Sequence, residues 1–92
     1  MEATMATTET TLYTVTIRET KHRGWTKRAR VRATDERDAR FRAVRKLFGQ
    51  RAGLEIDSGL GPEYGQVTEP MGPNARNCIT GRVRVVAEPV AG

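Results

Sequence analysis

The sequence predicts an α+β domain: an antiparallel sheet of three or four strands with a single helix across one face, in the order ββαββ. Three observations carry that prediction. Apolar and polar residues alternate in Thr11–Thr20, Trp25–Ala33 and Cys78–Glu88, the period of a half-buried strand. Between the second and third of these runs, Phe41, Ala43, Val44, Leu47 and Phe48 recur at helical spacing instead. Only the polar, glycine-ended stretch TKHRG separates the first two runs, which suits a hairpin connection.

Residues 1 to 10, MEATMATTET, carry no bulky apolar side chain except methionine and are expected to form a flexible tail ahead of a single domain spanning 11–92. In the first strand Tyr13, Val15 and Ile17 share one face, and Thr14, Thr16 and Arg18 the other. In the second, Trp25, Ala29, Val31 and Ala33 fall on the core side while Thr26, Arg28, Arg30 and Arg32 form a basic ladder opposite them. Thr34 and Asp35 are N-cap types, Asp35, Glu36 and Asp38 put negative charge in the first helical turn, and Gly49 provides a stop. Arg42, Arg45 and Lys46 then face solvent, Asp38 stands one turn before Arg42, and Arg40 is expected to snorkel at the edge of the apolar arc. Gln50–Pro62 is glycine-rich, with Leu54 and Ile56 as anchors and room for a short strand. Tyr64–Glu69 reads as a strand closed off by Pro70, Gly72 and Pro73. Cys78–Glu88 is a stronger one, with Ile79, Val83 and Val85 inward and Thr80, Arg82 and Arg84 outward. Pro89–Gly92 is a frayed end.

Ninety-two residues make one domain, and a chain of this size buries roughly two thirds of its unfolded surface. With 37% hydrophobic residues and a mean hydropathy of −0.59, it does not predict a deep enclosed catalytic cavity. Function belongs on a surface. The net charge of +5 conceals a local excess: residues 13–51 hold thirteen cations against four carboxylates. Thirteen of the sixteen basic residues are arginine, whose planar guanidinium suits bidentate phosphate contact. The expected binding residues are Arg18, Arg28, Arg30, Arg32, Arg82 and Arg84 on the uncovered sheet face, with Thr14, Thr16, Thr26 and Thr80 between them. Lys21 and Arg23 reach out from the hairpin. Such a face positions phosphates without reading sequence. With Tyr13 and Trp25 assigned to the core side, it offers no aromatic platform, which disfavours an RNA-recognition sheet of the stacking type.

Enzymatic chemistry finds little support. Glu19-Thr20-Lys21 matches only the end of a nuclease-type E-x-K arrangement, and His22 has no cysteine or second histidine nearby. Gly59-Leu60-Gly61 lacks the Lys-Ser/Thr of a phosphate loop. Glu55, Asp57 and Glu63 form an acidic loop region suited to solvation or a partner contact. Cys78 is the single cysteine and fits a reducing, cytoplasmic setting, as does an N-terminus without a secretory apolar run. No cofactor, metal or membrane partner is expected. An exposed edge strand leaves room for a homodimer.

The segment YTVTIRETKHRGWTKRARVRATDERDARFRAVRKLFG resembles the strand–strand–helix unit of short phage- and plasmid-encoded proteins, in which a hairpin runs into A-T/S-D-E-x-D-A and a helix. In size and basic charge the whole chain is similar to small phage inhibitors of bacterial defence, including anti-CRISPR proteins. That resemblance implies a non-enzymatic inhibitor that occupies protein and guide-RNA surfaces of a CRISPR surveillance complex and blocks target DNA binding. Two other readings stand beside it: a sequence-preferring DNA-binding regulator or recombination accessory, and a protein-only virion or adaptor component.

Overall fold

The computed structural model describes residues 9–21 and 24–90. Over the described residues the chain is α+β with one helix, as its patterning predicts, and its antiparallel sheet has five strands. In chain order these are β1 (Thr11–Glu19), β2 (Thr26–Ala33), α1 (Glu36–Phe48), β3 (Gly53–Ile56), β4 (Tyr64–Gly72) and β5 (Ala75–Pro89), so the order is ββαβββ rather than ββαββ. Across the sheet the strands run β2-β1-β5-β4-β3, which puts the last strand in the middle. The region after the helix therefore supplies three strands where ββαββ has two, and the additional one, β3, falls within Gln50–Pro62, where the sequence leaves room for a short strand. The expectations for residues 1–8 and 91–92, and for His22 and Arg23, lie outside the described residues.

Register aligns the apolar rows. Val15 stands between Ala29 and Ala87, and Ile17 is opposite Val85. Val15, Ile17, Val83 and Val85 have no exposed surface. The helix meets this row with Ala39, Ala43 and Val44, all fully buried. Two alanines at the centre let the helix axis approach closely, so the bulkier Trp25, Phe41, Leu47 and Phe48 end half-buried around the rim. Trp25 and Phe48 pack with ring centroids 5.9 Å apart at 55°.

Arg40 departs from expectation. It is 7% exposed rather than snorkelling at the edge, because its position is on the sheet-facing side of α1 among the alanines and Val44. Its Nη1 lies 4.0 Å from Glu36 Oε1 and its Nε has no hydrogen-bond partner among the described residues. A buried charge so weakly compensated costs more than it contributes.

The helix start is built by reciprocal bonds. Asp35 accepts from the Asp38 amide at 2.8 Å, and Asp38 Oδ2 accepts from the Thr34 amide at 3.0 Å and from Arg42 Nε at 2.9 Å. The Thr34 amide bond first, and Arg42 after it, hold the Asp38 carboxyl below its usual range.

β4 and β5 contain a bulge. Gln66 pairs with Arg82 but Thr68 pairs with Cys78, so residues 79–81 oppose Val67 alone. Thr80 Oγ1 fills the interrupted ladder, accepting from the Val67 amide at 3.1 Å and donating to the Gly81 carbonyl at 2.8 Å. Beyond the bulge the hairpin leaves the core, and Ile79, expected inward, is 36% exposed. β4 also continues through Pro70 to Gly72 instead of ending at Glu69. A second register shift near its exposed end accommodates the proline. Gly65 is required where β4 meets β3, since a Cβ there would run into the Glu55 carbonyl.

Two outcomes follow. Arg40→Met, which keeps an unbranched side chain and removes the buried charge, should leave the thermal midpoint unchanged or raise it. A lowered midpoint would mean that the Glu36 contact outweighs burial of the charge. Asp38→Asn should destabilise the protein at pH 7. Because the carboxyl is depressed in the folded state, its contribution is present above the unfolded value near ~3.9 and is lost as pH falls through the lower folded value. Denaturation midpoints of variant and wild type should therefore converge on acidification below about pH 4.

Candidate nucleic-acid interface

The face of the sheet away from α1 carries the other half of each strand's alternation. Arg28, Arg30 and Arg32 stand exposed along β2, spaced about 6.6 Å apart at two residues per repeat. Their β1 neighbours are Thr16, Thr14 and Leu12. None of these three arginines has a salt-bridge partner among the described residues. Arg18 lies between Thr26 on β2 and Arg84 on β5, which sets two like charges directly opposite one another.

That repulsion is relieved from the far side. Arg84 turns to Glu63, with Nη2 3.0 Å and Nε 3.1 Å from Oε1, and its guanidinium sits 5.9 Å over the Tyr64 ring. Arg82 likewise reaches Asp57 at 3.5 Å. Asp57 and Glu63 are thus internal partners of Arg82 and Arg84, and the unpaired positive charge concentrates on β2 and on Arg18. Lys21 is drawn to Glu19 at 3.7 Å and lines a cleft with Trp25 and Phe48, away from the ladder. Thr80, expected between the arginines, is committed to the bulge.

The basic surface also continues over the sheet edge. Lys46 Nζ donates to the Arg30 carbonyl at 2.9 Å, so that carbonyl points away from β1. By strand alternation the main-chain groups of Arg28 and Arg32 share the same outward edge. Arg30, Arg32, Arg42, Arg45 and Lys46 line one groove of about 700 Å³ between β2 and the helix. Lys46 and the two helical arginines appeared in the sequence only as a solvated helix face. The available signal was the two-residue link Thr34-Asp35, which lays the flank of α1 beside the strand that precedes it. One arginine of the groove, Arg42, is partly neutralised by Asp38.

Among the described residues, no group of three or more histidine, cysteine or acidic side chains could hold a metal ion, and no helix is long and apolar enough to cross a membrane. A second copy paired along β2 would bring arginine rows together, so the edge disfavours a homodimer through this strand. No family model, curated protein sequence or solved structure matches the chain.

Proposed function

We propose that this protein is a non-enzymatic module that binds nucleic acid, or an RNA-containing nucleoprotein, through the basic surface that runs from the open sheet face over the β2 edge onto α1. The observation that carries this reading is the continuity of Arg28, Arg30 and Arg32 with Arg42, Arg45 and Lys46 around one strand. A ladder repeating every ~6.6 Å is commensurate with successive phosphates along a nucleic-acid strand. Threonine hydroxyls beside it supply neutral donors to phosphate and sugar oxygens. The biological role that fits is the anti-CRISPR type in the cytoplasm of a bacterial host: a stoichiometric inhibitor seated on guide RNA and adjoining protein, excluding target DNA.

A sequence-reading DNA regulator is less well supported. Its natural groove reader would be the projecting β4–β5 ribbon, but Arg76 is the one cation between Thr68 and Ile79, and both its Nε and Nη2 are bonded to Thr68 Oγ1 at 3.0 and 2.7 Å.

Fluorescence anisotropy with a labelled oligonucleotide tests the interface. For four to six phosphate contacts, log K should fall with log[salt] at a slope of roughly −3 to −5. Arg28→Glu with Arg30→Glu should reduce affinity at least about tenfold and flatten the slope by roughly 1.5–2, with an unchanged circular dichroism spectrum because both side chains are exposed. Unaltered affinity would remove the ladder from the mechanism. Loss, in the same variant, of any block on target-DNA binding by a purified surveillance complex tests the inhibitor role.

Neutralising Asp57 and Glu63 together, as Asn and Gln, should have the opposite effect. With Arg82 and Arg84 released, affinity should rise severalfold at low salt and the slope should steepen by about 1–2. No change would confine binding to the β2 side of the sheet.

A further inference from the structure

Three elements meet at the end of the sheet where the β1–β2 hairpin turns. The hairpin brings Lys21, Trp25 and Lys27, the last residue of α1 brings Phe48, and the β5 bulge turns Ile79 outward. Between them lies an open cleft of about 780 Å³. Trp25, placed on the core side by its parity, is only half-buried, as is Phe48. The tilted pair has an apolar flank at the cleft rather than a sealed interior. Glu19 also lines it, but its carboxylate is 3.7 Å from Lys21 Nζ and is offset by that ammonium. Lys27, exposed at the start of β2, leaves one net positive charge at the opening.

This cleft lies next to the basic groove. Phe48 lines one and Gly49 the other, and Lys27 precedes Arg30 on the same strand. The distance from Lys27 to Arg32 along β2 is about 17 Å, the reach of a few nucleotides. A polyanion lying along the β2 edge is thereby led past Lys27 to an aromatic pair. The ligand chemistry that matches both halves is a flat aromatic group attached to a phosphate chain.

We propose that the Trp25–Phe48 cleft takes an unstacked nucleobase, which makes the ligand of the basic surface a single strand rather than a duplex. This rests on the nucleic-acid reading above and specifies it. A base held in a duplex cannot enter the cleft without unpairing, whereas a single strand presents one at little cost.

The test varies the ligand and leaves the chain intact, since Trp25 packs against the core and its truncation would disturb the fold. Three ligands of equal phosphate number are compared by anisotropy: an oligothymidylate, an abasic deoxyribose-phosphate strand and a duplex. The oligothymidylate should bind roughly 5- to 150-fold more tightly than the abasic strand, the range one stacked base supplies. It should also quench the emission of Trp25, the single tryptophan of the chain, while the abasic strand leaves that emission unchanged. Equal affinity for thymidylate and abasic strands, with unaltered emission, would overturn the base site and leave backbone binding standing. Duplex binding as tight as the thymidylate would overturn the single-strand preference. Failure of all three ligands to bind would overturn the nucleic-acid reading and this inference with it.

Discussion

The closure of one sheet face by α1 is the constraint from which the rest of the structure follows. Val15, Ile17, Val83 and Val85 give up all their exposed surface to that contact, and side chains along a strand must alternate. Once these residues are committed inward, Arg18, Arg28, Arg30, Arg32, Arg82 and Arg84 have only the opposite face. A slip of one residue in any pairing would bury guanidinium groups and expose valines, so the register of the core and the position of the charges are one decision. The ladder is thus a by-product of burial as much as a surface in its own right.

Charge is then distributed by pairing. Asp57 and Glu63, between β3 and β4, hold Arg82 and Arg84 of β5, while the arginines on β2 stand clear of partners among the described residues, and the helix adds its own cations across the edge. The result is a gradient from a compensated side, near Asp57 and Glu63, to an uncompensated one along β2. Exposed pairs of this kind contribute little to stability, on the order of 0–1 kcal/mol. Their effect is to shape the field rather than to hold the fold.

Much of this was legible in the residues. The alternation in β1 and β2 and the helical spacing after Asp35 gave the first half of the chain with its correct faces, including every arginine of the ladder. The second half was harder for identifiable reasons. β3 has four residues, with Leu54 alone buried, too few to display a period. The bulge at residues 79–81 breaks the alternation, so parity counted back from Val83 assigned Ile79 to the core. Pro70 resembles a terminator but sits at an exposed, shifted end of β4. Arg40 occupies a core position that its chemistry contradicts. The edge groove depends on which strand ends up outermost, a property of the five-strand order that local pattern does not contain.

β5 lies at the centre of the sheet although it is made last, and it pairs Tyr13 with Pro89, nearly the full length of the chain apart. The β1–β2 hairpin and α1 are local and can form early, yet they have no central partner until the final strand arrives. Closing so long a loop is entropically slow. On a ribosome the completed sheet must therefore wait until β5 has been made and has left the exit tunnel, and the apolar row of β1 stays open on its β5 side until then.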